Sequence, residues 1–546
     1  KTAYEIRNCD WSSDVCSSDL TAVVLVALRL ARVPRRWCGI IAMPLLVLYV
    51  FATGARPGAV RALLMACVWL TGWILVRPSD LLNGLAGAAL AILVYEPLQL
   101  FDGGFQLSFG VVVALVTLTP PIEKLLYRLI AHDPFVPEEL LPRWRKVLRE
   151  PIQYGVRLVA GSMAAWVGLI PLMAVYFHLF TPVSVLANVV VVPLLGIIMA
   201  VGMLAILAHP VCVWLAVTFN NANYALLHGM TTTVQWLGHL PCGHWFVQAP
   251  PVWMSVVYYG LGIAGLKWRR VWWLVPVLIC GVAFWPERAV EITVLDMNRG
   301  GAIFVNAPGE RDDFLIDGGD DWAGKRVVVP FLQSEGVDRL SAVVLTRGDK
   351  NHATGLREVL EGIPVGEAAH GGLWTRSEAY AEWLGDVQRR GIPLRKLRAG
   401  EHWGAVRVFH PGSAGESSRS DDYVVVLGLE YNGTRLVLLG DASAEVLGRI
   451  RDAVRDYRPQ LVVQGSDGAG WEATREFLAA VRPELAVICR PQPSRFHPRR
   501  DLSNSPVPLL RTDDTGAVTL RLTEKGYSVK TMPSGSEMST SNPREH

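Results

Sequence analysis

Charge is scarce in this sequence. Asp, Glu, Lys and Arg make up 18% of the 546 residues, against about 25% in an average soluble protein. That scarcity, with a mean hydropathy of +0.29, excludes a disordered chain, which stays open because charge outweighs apolar surface. Paired cysteines are missing too. The eight Cys include no Cys-x-x-Cys and no Cys/His cluster, so neither a disulfide scaffold nor a Cys-based zinc site is implied. The N-terminus lacks the basic region, apolar core and cleavage site of a signal peptide. A net charge of +3 and a pI near 8.4 are too mild to name a partner.

What is present is unevenly distributed. Residues 21–287 carry long apolar runs broken by short basic turns, and residues 288–530 read as mixed α/β with ordinary surface charge. The expected fold class is a polytopic α-helical membrane domain followed by an α/β sandwich domain. Residues 1–20 (KTAYEIRNCDWSSDVCSSDL) fit neither part. They resemble translated sequencing-adapter sequence and are read as a non-native segment, which makes the expected native chain longer at its N-terminus. Residues 531–546 are polar and expected to form a disordered tail.

Ten apolar segments are expected in the first half: 21–30, 37–52, 59–76, 81–100, 105–119, 156–180, 183–208, 211–239, 253–266 and 271–284. Several are short for a bilayer or contain Gly and Pro, which lipid tolerates only where protein or a cavity faces the broken backbone. With ten spans, the basic loops near Arg32, Arg145 and Arg269 fall on one side, which the positive-inside rule makes the cytoplasm. The second domain then lies outside it. Polar residues among the spans are the functional candidates. They cluster in TGARPGAVRA (53–62), with Arg56 and Arg61, and in LFDGGFQLSF (100–109), with Asp102, Gln106 and Ser108. Snorkelling of the Arg and helix capping by Asp are the alternative reading.

These stretches, together with DLLNGLAGAALAILVYEPLQLFDGGFQLSF and TPVSVLANVVVVPLLG, closely resemble the ComEC-type competence family. The resemblance implies a multi-pass channel that passes single-stranded DNA across the bacterial inner (plasma) membrane during natural transformation. It implies that Arg56, Arg61, Asp102, Gln106, Ser108 and Asn188 match the family's polar positions. It also implies the lipid bilayer, a periplasmic DNA receptor and a cytoplasmic helicase-like motor as partners. A phosphate backbone crossing lipid needs positive or hydrogen-bonding groups without base readout, which suits the two Arg.

The second half shows strands at VEITVLDMN (290–298), GAIFVNAP (301–308) and FLIDGG (314–319), a strand, polar loop and helix start over SAVVLTRGDKNHATGL (341–356), a strand followed by a polar loop in LVVQGSDG (461–468) and ELAVICRPQPSRFHP (484–498), and a last strand at GAVTLRL (516–522). DYVVVLGLEYNGTRLVLLGDAS (422–443) reads as a hairpin turning at Asn432-Gly433. FLIDGG, the VVPFLQSEGVDRLSAVVLT run, LVLLGD and RTDDTGAVTL resemble the metallo-β-lactamase-like domain fused to many ComEC-type proteins. In that family the loop after the fourth of these strands usually reads His-x-Asp-x-Asp-His and binds metal. Here it is Arg347-Gly348-Asp349-Lys350-Asn351-His352. The family's His-His-Gly-Ser is matched by Ser466-Asp467-Gly468-Ala469, and a second late His by Arg499. The resemblance therefore leaves four ligand positions, Asp349, His352, Asp441 and His497.

Arg347 places a fixed positive charge where an imidazole lone pair is needed, and Asn351 brings no charge to a divalent cation. No metal cofactor is expected, or at most one divalent Zn or Mn ion. The four residues are expected to be remnants serving as turn caps and hydrogen-bonding groups. His370, His402 and His410 match no motif and are expected at the surface. Ser466 stands in no nucleophile-elbow motif, which argues against a serine hydrolase. The leading expectation is a DNA-uptake channel carrying an inactive hydrolase-fold domain. The alternatives are a membrane-anchored metal-dependent nuclease, or a scaffold whose second domain only binds DNA or a partner.

Overall fold

A computed structural model describes residues 28–29, 32–52, 54, 57–75, 81–130, 143–240, 243–267, 289–297, 300–307, 313–372, 377–404, 406–412, 423–465, 470–490, 504–523, 526–532 and 537–538. The chain divides into two compact units, residues 1–276 and 277–546. The expected boundary at 287 lies outside the described residues, as do the 1–20 segment and the last apolar segment, 271–284.

The first unit is helical: α1 (Arg35–Ala52), α2 (Pro57–Ile74), α3 (Leu81–Tyr95), α4 (Gly103–Ile130), α5 (Arg143–Phe177), α6 (Val183–Ala208), α7 (Val213–Gly238) and α8 (Val252–Lys267). A 3-10 turn over Pro97–Phe101 leads into α4. Strands β1 (Leu179–Phe180) and β2 (Trp245–Phe246) pair beyond the ends of α5 and α7. Eight of the ten expected apolar segments are thus helices. Among the described residues, three are long and apolar enough to cross a membrane, within α4, α5 and α6, and α1, α2, α3 and α8 are shorter apolar helices. The chain is a membrane protein on this pattern. Its exposed surface in this unit is largely Leu, Ile, Val and Trp, as lipid contact requires.

Proline in the interior of α5 shows how the unit satisfies its backbone. Pro171 has no N–H, so the carbonyl of Val167, four residues earlier, has lost its helical donor. Tyr258 of α8 supplies one: its hydroxyl donates to Val167 O at 2.5 Å. Its neighbour Tyr259 donates to Gly168 O at 3.2 Å. In hydrocarbon no water could do this.

The second unit is a layered sandwich. Among the described residues one sheet has nine strands in the order β18-β17-β16-β3-β4-β5-β6-β7-β8, and the other has seven in the order β15-β14-β13-β12-β11-β10-β9, where β8 is Leu394–Lys396, β9 His402–Trp403, β10 Val406–His410, β15 Leu509–Arg511 and β16 Val518–Thr523. The strands that position the site are β3 (Val290–Val294), β4 (Ile303–Asn306), β5 (Phe314–Ile316), β6 (Leu340–Leu345), β7 (Val365–His370), β11 (Val426–Tyr431), β12 (Thr434–Gly440), β13 (Leu461–Gln464) and β14 (Leu485–Ile488). Period-two alternation divides each between two cores. In β6, Val344 faces the core between the sheets, with Ile316, Leu427 and Leu438. Its neighbours Val343 and Leu345 face an outer core under α9 (Lys350–Gly362) and α10 (Glu378–Arg389). Likewise Val437 and Val462 of the second sheet pack under α11 (Ala444–Tyr457) and α12 (Trp471–Val481). Strands buried on both faces read as continuous apolar runs. This helix–sheet–sheet–helix layering is the α/β sandwich that the resemblance implied.

The Asn432-Gly433 turn is as expected: both residues have positive φ, 50° and 76°, and Tyr431 pairs with Thr434, the geometry of a two-residue hairpin loop. Two expectations are corrected. His370 and His410 are buried, 8% and 5% exposed. Each finds a partner, Tyr380 Oη at 3.1 Å from His370 Nδ1 and Val424 O at 2.7 Å from His410 Nδ1, which a lone His in sequence does not announce. Within the tail expected to be disordered, β18 (Glu537–Met538) pairs with β17 (Gly526–Thr531). An open sheet edge recruits backbone without a side-chain signal.

Tyr258→Phe is expected to cost about 1 kcal/mol of membrane-unit stability. Combined with Pro171→Ala, which restores the helix's own donor, it is expected to cost less. Unfolding in a denaturing-detergent titration of the single and double variants measures both.

Candidate functional site

Each unit brings a different set of polar residues together. In the first, the 3-10 turn ends at Asp102, which caps α4: its Oδ2 accepts the Phe105 N–H at 3.1 Å, satisfying an otherwise unpaired helix donor. The same oxygen receives Arg61 Nη1 of α2 at 3.0 Å. The Arg61 side chain is only 6% exposed, a deep position for a charge that lipid would not tolerate unpaired. The guanidinium lies against the start of α4, and a Cβ on Gly104 would stand 2.7 Å from Arg61 Nη2. A side chain there would push the guanidinium from this position. One turn on, Gln106 donates to Leu100 O at 2.9 Å and accepts the Tyr176 hydroxyl of α5 at 2.9 Å. Arg61, Asp102, Gln106 and Tyr176 thus join α2, α4 and α5. Arg61 Nε is buried with no hydrogen-bond partner among the described residues, so the guanidinium keeps a donor in reserve.

Arg56 lies outside the described residues. Ser108 is partly buried two residues past Gln106 and points to another side of α4. Asn188 is partly buried on α6 and shares no hydrogen bond with the cluster among the described residues. Tyr176 was missed in sequence, because a Tyr in an apolar run carries no sign of a partner 70 residues away.

In the second unit the site lies at the carboxyl ends of strands β5, β6, β12, β13 and β14, where loops of α/β folds converge. Asp349, in the loop after β6, caps α9 by accepting Asn351 N–H at 2.9 Å. Its Oδ1 also meets His352 Nδ1 at 2.7 Å, and its Oδ2 meets Arg347 Nε at 2.9 Å. The other imidazole nitrogen, Nε2, meets Asp441 Oδ2 at 3.0 Å, with both of these side chains 3% exposed or less. Asp317 completes the cluster, accepting Thr346 N–H at 2.8 Å and Thr346 Oγ1 at 2.5 Å. A Cβ on Gly465 would stand 1.9 Å from Asp441 Oδ1, so glycine is required there. Asp317 and Thr346 were not singled out in sequence, although the strand-ending Asp before Gly-Gly is a visible signal.

The electrostatics follow from burial. Burial alone would strip His352 of its proton. The Asp317 charge and the hydrogen bonds to Asp349 and Asp441 outweigh it and hold the imidazole well above its ordinary value of 6.5. Burial pushes Asp317 up to about 6, against the pull of His352 and Thr346. Asp349 stays below its ordinary value because the bonds from His352 and the charge of Arg347 exceed its own burial cost. Burial pushes the Cys489 thiol, which lines the same cavity, up to about 12, so it is no nucleophile at neutral pH.

These donors do not fit a metal. A ligating histidine must offer a neutral nitrogen, and both nitrogens of His352 face carboxylate oxygens. Among the described residues no three His, Cys, Asp or Glu side chains are placed to hold one ion. His497 lies outside the described residues. The cavity lined by Asp317, Thr346, His352, Asp441 and Cys489 measures about 20 Å³, room for one water rather than a substrate.

Residues 19–272 match the family described as Competence protein. Two curated relatives align along 92% of the chain. "ComE operon protein 3" of Bacillus subtilis (strain 168) is 22% identical, with 66% of its length covered. "Competence protein ComA" of Neisseria gonorrhoeae is 25% identical, with 67% covered. The chain thus spans about two thirds of the length of these relatives. Among solved structures, a putative metallo-beta-lactamase from Thermotoga maritima is similar over 37% of this chain and 95% of its own, at 13% identity and a TM-score of 0.24.

Raising pH is expected to destabilise the second unit. The stability linked to His352 is fully present below pH 6.5 and is lost as pH rises through the higher folded-state value. Asp317, also raised, contributes in the same direction between 3.8 and about 6. His352→Gln is expected to lower stability by about 3 kcal/mol and to flatten the alkaline fall. Thermal unfolding of residues 288–530 as a function of pH, for both forms, measures this.

Proposed function

We propose, from the premise that this chain belongs to the ComEC-type competence family, that it passes single-stranded DNA across a bacterial inner membrane during natural transformation. The observation that carries the reading is the Arg61–Asp102–Gln106–Tyr176 cluster, set at a glycine-broken helix start among apolar helices. A polyanion crossing a low-dielectric slab needs fixed positive charge and neutral hydrogen-bond donors along its way. Asp102 orients Arg61 and partly offsets its charge, so a passing phosphate meets a held donor rather than a trap. Arg56, four residues before the first turn of α2 ends, is proposed to extend the same path.

The basic loops support an orientation. Four helices, α1 to α4, separate Arg36 from the loop that follows Ile130, and four more, α5 to α8, separate that loop from Lys267. With each of the eight crossing the bilayer, even counts would leave all three on one side, the cytoplasm by the excess of Lys and Arg. A crossing after Lys267 would place the second unit outside the cytoplasm, where incoming DNA arrives. A DNA receptor there and a motor on the inner side are the partners this arrangement calls for.

We read the second unit as an inactive hydrolase fold. Its Asp349–His352–Asp441 chain puts an organic cation among the carboxylates where the family's metal would supply charge and activate water. In this reading it does not hydrolyse DNA.

Arg61→Ala is expected to lower transformation about 100-fold, in a competent bacterium whose own channel gene is replaced by this one. Without the held guanidinium, the half-exposed Asp102 carboxylate alone would face the passing phosphates. Membrane protein level serves as the control, and unchanged uptake would remove Arg61 from the path. The second unit is expected to bind no stoichiometric Zn²⁺ or Mn²⁺ and to leave DNA intact. Metal analysis with a nuclease assay tests it, and cleavage abolished by Asp441→Ala would reverse the reading.

A further inference from the structure

Helix α7 is built inside out for a membrane helix. It runs 26 residues, as α6 does, and the two are joined by only four residues, 209–212. They pack along their length as an antiparallel pair. The packed stripe of α7 is Ala216, Phe219, Asn223, Leu226, Met230, Thr233 and Leu237, which are buried or half-buried and recur every three or four residues. A side chain on Gly202 of α6 would meet the Asn223 amide at 3.3 Å. Helix α6 has no charged residue and is apolar apart from Ser184 and Asn188, with Ile198 buried and its other residues half-buried or exposed, so it lies in the hydrocarbon. Its partner must then lie at the same depth. Trp214 and Trp236, 76% and 65% exposed, sit near the two ends of α7. They are about 33 Å apart at 1.5 Å per residue, the spacing of the two membrane interfaces.

The face of α7 turned away from α6 is nevertheless polar. Asn221, Tyr224, His228, Thr232 and Gln235 fall within about 40° of one line down the helix, and all five are exposed. Thr232 returns its hydroxyl to the helix, donating to His228 O at 2.8 Å. Asn221 and Gln235 have no such exit: their side chains have no hydrogen-bond partner among the described residues. An amide facing lipid unpaired costs several kcal/mol. Tyr224 and His228 are stacked, with ring centroids 6.3 Å apart and planes at 10°.

From this placement we infer that the outward face of α7 lines a water-filled passage through the membrane unit, and that the passage admits single-stranded nucleic acid. The water follows from the unpaired amides at bilayer depth. The strand rests on the proposed DNA-uptake function, and the chemistry suits it. Neutral hydrogen-bonding groups neither repel phosphate nor hold it, and the exposed Tyr224–His228 pair offers a π-face on which any base can stack.

Thiol accessibility in the intact chain tests this. With native Cys replaced, single Cys are placed at Asn221, His228 or Thr232 of α7, or at Ile197 or Leu204 on the exposed apolar surface of α6. Each is treated in membranes with a charged, membrane-impermeant methanethiosulfonate. Reaction needs thiolate and therefore water. The α7 positions are expected to react at least about 10-fold faster than the α6 positions, and the adduct on the His228→Cys protein is expected to cut DNA uptake about 10-fold. Unreactive α7 thiols would overturn the inference whatever the uptake, because the face would then be covered by protein or lipid. Reactive thiols whose adducts leave uptake unchanged would overturn the assignment of the strand to this face. Reactive thiols in a chain that supports no uptake at all would instead bring down the DNA-uptake reading, while the water-filled face stands.

Discussion

A charge taken out of water must be met by an opposite charge or by hydrogen bonds, and each half of this chain is organised around one such meeting. In the membrane unit it is Arg61 on Asp102 at 3.0 Å. In the second unit it is His352 between Asp349 at 2.7 Å and Asp441 at 3.0 Å. Arg61 and His352 are the desolvated cations, 6% and 3% exposed, and each depends on the carboxylates beside it. The surrounding features follow from that need. Gly104 keeps the space that Arg61 fills, and Gly465 the space beside Asp441. Asp102 and Asp349 both cap a helix while holding their cation, so the ion pair also fixes where α4 and α9 begin.

The membrane unit extends the same rule to its backbone and its polar faces. Pro171 frees a carbonyl and Tyr258 answers it from another helix. On α7, Asn221 and Gln235 have no hydrogen-bond partner among the described residues, and the proposed water-filled face rests on that. A channel differs from an anchor in this respect. An anchor hides every polar group, whereas a channel keeps a controlled set in contact with solvent and substrate.

In the second unit a cationic imidazole lies among the carboxylates at the strand ends. A proton on His352 supplies the positive charge that three nearby carboxylates require, but it cannot lower the pKa of a bound water as a metal does. The fold is preserved because its stability resides in three apolar cores. The polar residues at the strand ends stand apart from those cores.

Much of this was legible in the linear order of residues. Apolar runs of bilayer length, the switch to period-two strands after residue 288 and the Asn432-Gly433 turn are local patterns, and helices and strands impose them over a few residues at a time. The motif residues Arg61, Asp102 and Gln106 could be marked as polar groups out of place, and Arg347 as a charge wrong for a metal site. What the sequence could not determine was partnership. That Arg61 meets Asp102 41 residues away, that Tyr176 reaches Gln106, that His370 and His410 are buried, and that both nitrogens of His352 are taken by carboxylates are decided only when distant segments pack. The polar face of α7 shows the same division. Its residues can be read off the sequence, but which of them turn away from α6 depends on the rotation of the helix against its partner, and that is set by side-chain packing across the pair.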